Sequence, residues 1–138
     1  MDERDRELVA AAAAIRDRAH APYSDFRVGA ALRDARGDVH LGVNVENISF
    51  GLSVCAERHA VAAAVAAGER ELEAIAICGG DRQPTPPCGA CRQVLREFGP
   101  ELRIIMAGRD GVDGPVETPT LAVLMPGAFT DFNGETTG

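Results

Sequence analysis

Positive charge is scarce in this sequence: 14 Lys and Arg stand against 21 Asp and Glu, a formal net charge of −7 over 138 residues. Affinity for nucleic acid rests largely on Lys and Arg displacing counterions from phosphates, so DNA or RNA binding is disfavoured as the main role. A long apolar run is also missing. No stretch approaches the roughly 18 residues that a membrane span requires. The opening Met1-Asp2-Glu3-Arg4-Asp5-Arg6 mixes both charge signs, where a signal peptide has a basic start and then an apolar stretch. These absences predict a cytoplasmic protein with no membrane partner. Repeats, linkers and low-complexity tracts are lacking too, and residues 1–138 read as one domain. A chain of this length buries roughly two-thirds of its extended surface, enough for a core that needs neither metal nor disulfide. A metal here would serve function. Cysteine is limited to four residues, and in a reducing cytosol such thiols stay free or bind metal rather than pair.

Between those absences, the pattern of apolar residues marks out elements. Leu8, Val9, Ala12, Ile15 and Ala19 recur at helical spacing over residues 3–20, with Pro22 beyond as a stop. Phe26 to Leu32 and Val39 to Val45 read as strands of a hairpin around the turn Asp34 to Asp38, followed by a polar loop from Asn44 to Gly51. A second helix is expected from Cys55 to Ala67, stopped by Gly68. Its Ala60 to Ala67 segment has no polar residue, so the helix is either central to the domain or shared with a second subunit. Glu73 to Cys78 reads as a third strand, Gly89 to Phe98 as a third helix, Arg103 to Ala107 as a fourth strand, Val116 to Thr118 as a fifth, and Thr120 to Leu124 as a short helix. Beyond Pro126 only Phe129 and Phe132 stand out. This order predicts an α/β protein: a three-layer α/β/α fold with a mixed five-stranded sheet.

The chemistry gathers where two of these helices begin. Cys55 lies in Cys55-Ala56-Glu57-Arg58, and Cys88 and Cys91 in Pro87-Cys88-Gly89-Ala90-Cys91. Unsatisfied N–H groups and the helix dipole favour negative charge at such positions, which lowers a thiol's pKa. The spacing of Cys88 and Cys91 lets both sulfurs face one point. Three thiolates on one ion suit Zn²⁺. The fourth position divides the readings. Water there makes the site catalytic, whereas Cys78 or His59 as a fourth ligand makes it closed and structural. Glu57, two residues from a ligand, could instead take a proton from a metal-bound water and return it to a substrate atom. Either motif alone is a weak signal, but together they match the zinc-deaminase pattern in its three-cysteine form.

With these residues in view, the chain is similar to the homotetrameric-type cytidine deaminases. The likeness runs from Tyr23-Ser24-Asp25-Phe26-Arg27-Val28-Gly29 through Asn44-Val45-Glu46-Asn47, the two cysteine motifs with Arg92-Gln93, and Leu124-Met125-Pro126-Gly127-Ala128-Phe129. The resemblance implies one Zn²⁺ per chain on Cys55, Cys88 and Cys91, with Glu57 as proton shuttle. It also implies Asn44 and Glu46 on the ribose 3′-hydroxyl, Phe26 against the pyrimidine, the Ala56 backbone on the base, and Phe129 reaching into a neighbouring subunit's site. The implied reaction is hydrolytic deamination of cytidine and 2′-deoxycytidine in pyrimidine salvage. In it, Glu57 protonates N3, water adds at C4 and ammonia departs, with no organic cofactor. Arg58 offsets the negative charge of three thiolates on one Zn²⁺. The implied assembly is a homotetramer with shared active sites. At Ile48 and Phe50 the chain departs from the Ala and Tyr common in the family, and Phe50 lacks the hydroxyl.

Competing readings remain at this level. Cys78 reads first as a small buried hydrophobe at a strand end, and His59 as a helix side chain packed near the sheet. A zinc-stabilised interaction module would recruit one of them and leave Asn44, Glu46 and Glu57 without a purpose. A deaminase of nucleic-acid bases conflicts with the acidic balance. A deaminase of aminonucleoside antibiotics would lack the Asn44 and Glu46 pair. His20 and His40 support no functional claim.

Overall fold

A computed structural model describes the protein over residues 1–131; Phe132 lies outside the described residues. The first helix, α1 (Glu3–Ile15), starts where the Asp2 carboxylate accepts the Asp5 N–H at 2.8 Å. Its helical register is lost earlier than the apolar spacing to Ala19 predicts. A tight turn over Arg16–Arg18 follows, because His20 is drawn into extended pairing. Its N–H donates to the Asn44 carbonyl, and its own carbonyl accepts the Glu46 N–H.

Five strands follow, β1 (Gly29–Asp34), β2 (Val39–Val43), β3 (Leu72–Cys78), β4 (Arg103–Ala107) and β5 (Val116–Glu117), in the sheet order β2-β1-β3-β4-β5. Only β3 and β4 run parallel; the other neighbours are antiparallel. The sheet is mixed, as expected. The first strand nevertheless begins three residues later than its sequence suggests. The Asn44 side chain accepts the Val28 N–H and donates to the Phe26 carbonyl, which holds residues 26–28 as a loop.

Three further α-helices lie among the described residues: α2 (Ala56–Ala66), α3 (Gly89–Arg96) and α4 (Leu121–Leu124). Gly68, at φ +93°, follows the end of α2, a conformation that costs glycine little. Alternation along the strands sends residues to opposite faces. Ala31, Ala74, Ala76, Cys78, Ile105 and Ala107 pack under Leu8, Val9 and Ala12 of α1. Leu32, Ile75, Ile77, Ile104 and Met106 pack against Ala60 and Val61 of α2, Leu95 of α3 and Leu121 of α4. One layer of helix therefore lies on small residues and the other on large ones. At Gly42 the backbone of α2 comes so close to β2 that a Cβ would collide with the Ala56 carbonyl oxygen. That approach fixes where the start of α2 sits against the sheet.

Candidate active site

Cys55 and Cys88 are the N-capping residues of α2 and α3, and Glu57 and Cys91 lie in the first turns that follow. Neither cap makes a side-chain hydrogen bond to its helix, so both sulfurs are turned to other partners. The Cys55 and Cys88 Sγ atoms are 3.9 Å apart and those of Cys88 and Cys91 3.5 Å. All three lie within 4.8 Å of one another, and no other residue among the described ones joins the cluster. The Arg58 guanidinium stands beside it, with Nη2 3.9 Å from the Cys55 Sγ and 3.4 Å from the Ser53 carbonyl oxygen.

The electrostatics follow from that packing. Hydrogen bonding from the Cys91 thiol and the Arg58 guanidinium brings Cys55 down to about 5, while the same bond pushes Cys91 up. Cys55 is therefore the sulfur of the group that gives up its proton most readily. Glu57 is 5% exposed. Its carboxyl is raised above its ordinary value, first by burial and then by the Cys55 thiolate.

A second group of side chains lies along the segment that precedes β1. The Phe26 ring rests on the turn after β3, beside Gly79, Gly80 and Thr85. Glu46 Oε1 accepts the Tyr23 and Ser24 N–H groups at 2.9 and 3.1 Å, and Oε2 accepts the Ser24 hydroxyl. Asn44 Oδ1 accepts the Val28 N–H at 2.8 Å, and its Nδ2 donates to the Phe26 carbonyl at 2.9 Å. Tyr23, Ser24, Glu46, Phe50 and Ser53 line an open cavity of ≈ 380 Å³, a size typical of small-molecule sites. Ser53 and Arg58 link this cavity to the thiols. Tyr23 and Phe50 meet edge to face with centroids 5.7 Å apart. Phe129 is placed elsewhere in the chain: with Gln93, Arg96, Glu97 and Thr130 it lines a separate cavity over α3, and its carbonyl accepts from Gln93 Nε2.

A family model for the cytidine and deoxycytidylate deaminase zinc-binding region matches residues 2–107. A cytidine deaminase of Halalkalibacterium halodurans is 44% identical over 123 residues, spanning 89% of this chain and 92% of the relative. The chain belongs to the cytidine deaminase family. Among solved structures, the cytidine deaminase of Burkholderia pseudomallei superposes with a TM-score of 0.85 at 46% identity, covering 94% of this chain and all of that one. The cytidine deaminase of Mycobacterium tuberculosis superposes with a TM-score of 0.80 at 41% identity, covering 93% and 98%.

Zinc is the cofactor of this cytidine deaminase family, and the residues fit it. The donors are three soft sulfurs at two helix starts, one of them held below its ordinary pKa, with a guanidinium to balance the charge. The two other candidate ligands lie apart. Cys78 points into the α1 face of the sheet, its Sγ 3.5 Å from the Val9 carbonyl oxygen, and burial pushes its thiol up to about 11. His59 commits Nδ1 to the Val43 carbonyl at 2.8 Å. Three contributors are not visible in the sequence pattern. Arg92 donates to the Pro87 and Leu124 carbonyls, bracing the turn before Cys88 against α4. Arg16 donates to the Gly79 and Arg109 carbonyls, holding the turn under Phe26. Ser24 bonds Glu46 and the Phe26 N–H. Each reaches a carbonyl or carboxylate distant in sequence, which no local pattern announces; the nearest signal is that Ser24 stands within the Tyr23 to Gly29 motif and Arg92 directly after Cys91.

Proposed function

We propose that this chain catalyses the hydrolysis of cytidine and 2′-deoxycytidine to uridine and 2′-deoxyuridine with release of ammonia. The observation that carries the reading is Glu57, buried in the first turn of α2 beside a cluster of three cysteines and no fourth protein ligand among the described residues. Three donors leave a tetrahedral ion one open position, the arrangement of a catalytic site. Cys55, Cys88 and Cys91 would hold the zinc, which supplies the Lewis acidity that makes water nucleophilic at neutral pH.

The remaining steps belong to the chain. Glu57 takes a proton from the attacking water and passes it to N3 of the pyrimidine, so that C4 becomes electrophilic. After water has added at C4, Glu57 carries a further proton to the departing amine, and the C4–N4 bond breaks. Burial suits the carboxyl to proton transfer, because a raised pKa makes its neutral, proton-carrying form accessible. Phe26 walls the base, and the Ala56 backbone at the start of α2 contacts it. Asn44 retains one N–H and Glu46 one acceptor site beyond their bonds to the loop. Together these suit a single sugar hydroxyl that donates to one and accepts from the other. Arg58 offsets thiolate charge.

The working form in this reading is a homotetramer of single-domain subunits, with Phe129 completing a neighbour's site. Two features support association. The helix α2 leaves Ala62, Ala63 and Ala66 exposed, and Ile48, Phe50 and Leu52 stand 78%, 73% and 66% exposed near the cavity. No described helix is long and apolar enough to cross a membrane. Four unpaired thiols suit a reducing cytoplasm, where we place the enzyme in pyrimidine salvage. The test is the fall in cytidine absorbance with zinc-loaded protein beside Glu57→Gln. Turnover by the wild type, and its collapse in a variant that keeps its zinc, is the expected result. One zinc per chain with no turnover in either protein would refute the reading.

A further inference from the structure

Ser24 is exposed and touches neither the thiols nor Glu57, yet its hydroxyl makes two hydrogen bonds at once. It donates to Glu46 Oε2 at 2.5 Å and accepts the Phe26 N–H at 3.0 Å. Resting on the nucleoside reading above, we propose that Ser24 is a positioning residue for substrate recognition, joining the sugar-binding carboxylate of Glu46 to the peptide that carries Phe26. The grip on the sugar and the wall against the base are then set as one unit.

The alternative is that Ser24 merely stabilises its turn, and the bonding pattern argues against it. The turn is held without the hydroxyl. Glu46 Oε1 takes the Tyr23 and Ser24 N–H groups, the Asp25 N–H reaches the Ala21 carbonyl, and Asn44 bonds both the Phe26 carbonyl and the Val28 N–H. Those bonds also secure Asp25 in its left-handed conformation at φ +57°. The hydroxyl adds something different. A carboxylate offers about four acceptor sites; Oε1 uses two of them, and the Ser24 hydroxyl fixes which part of Oε2 stays open. It is also the first cause that holds the Glu46 carboxyl below its ordinary range, and as a carboxylate Glu46 is acceptor-only. Removing the hydroxyl frees Oε2 to turn and leaves the Phe26 N–H to solvent, while the backbone of the turn stays in place. Ser24 and Glu46 line the same cavity, so the change falls where a nucleoside would sit.

The test is kcat and KM of the wild type, Ser24→Ala and Ser24→Thr with cytidine and with 3′-deoxycytidine, which lacks the hydroxyl that Glu46 accepts. Ser24→Ala is expected to lower kcat/KM for cytidine roughly tenfold, the scale of one hydrogen bond to a charged group, mainly through KM. For 3′-deoxycytidine the same substitution is expected to cost less than about threefold by that argument, because the bond it tunes is already gone. Ser24→Thr keeps the hydroxyl and is expected to retain the wild-type ratio between the two substrates; it carries the test if the Ala variant folds poorly. Equal losses on both substrates, a loss confined to kcat, or an Ala variant indistinguishable from the wild type would overturn the proposal. The underlying readings fail in other ways. A wild type that uses both nucleosides equally well removes the sugar role of Glu46 and this proposal with it, leaving deamination intact. A wild type inert toward cytidine removes the deaminase reading itself.

Discussion

On the α1 side of the sheet, Cys78 ends β3 with no exposed surface, its thiol pushed up to about 11 by burial. On the other side, Cys55 caps α2 and is drawn down to about 5 by the Cys91 thiol and the Arg58 guanidinium. The same side chain is harder to ionise in one place and easier in the other because its surroundings differ in donors and charge, not in its own chemistry. The two sides also handle carboxylates in opposite ways. Beneath α1, Asp5 is 4% exposed and clamped by Arg33 and Arg103 at 2.6–3.0 Å, with Glu73 completing the network. There, a buried charge is compensated and holds α1 to β1 and β4. Glu57 is buried to a similar degree, but its carboxyl is raised where that of Asp5 is lowered. Compensated burial serves stability, and uncompensated burial poises a group for proton transfer.

Substitutions on the two sides sharpen this contrast. Cys88→Ser is expected to abolish both bound zinc and activity, whereas Cys78→Ser leaves the zinc in place; metal analysis of the purified variants decides it, and zinc loss from the Cys78 variant would break the contrast. Glu57→Gln is expected to lower kcat on the order of 10²–10⁴-fold with zinc retained, read by single-turnover kinetics beside the metal content. Asp5→Ala, which leaves the buried Arg33 with Glu73 as its one carboxylate beside the Arg4 carbonyl, is expected to cost about 3 kcal/mol in urea unfolding while the three clustered sulfurs keep their arrangement. For Cys78→Ser the cost is about 1 kcal/mol, since a hydroxyl replaces sulfur in an apolar layer but finds the Val9 carbonyl as acceptor.

The smallest effect concerns acid. The folded Asp5 carboxyl lies below its ordinary value of 3.8, held there first by its hydrogen bond to Arg103. The stability it contributes is therefore fully present above that value and is lost as pH falls through the folded one. Asp5→Asn is less stable than the wild type at neutral pH, and the gap between them is expected to narrow below about pH 4. Unfolding curves that stay parallel down to pH 2 would show that Asp5 carries no such linkage.

Much of this was legible along the chain. The two cysteine motifs, the placement of each at a helix start, the strand Arg103 to Ala107 and the mixed sheet follow from spacing and turn residues, and the structure bears them out. The early end of α1 and the late start of β1 share one cause. Helix α1 stops at Ile15 because His20 pairs with residues near Asn44, and β1 starts at Gly29 because the Asn44 side chain captures the peptides before it. In each case a partner more than fifteen residues away outweighs local propensity, and periodicity within a window cannot register it.

The sequence by itself determined which thiols and carboxylates stand at the starts of helices and the kind of element that carries each, because capping and hydrophobic period are local properties. Tertiary structure alone decided that three sulfurs from two helices converge within 4.8 Å, that Cys78 faces away from them, and that Ser24 reaches Glu46 across 22 positions. Those outcomes depend on how the helices pack across the sheet and which face each strand residue takes, and packing is settled by contacts between residues far apart in the chain.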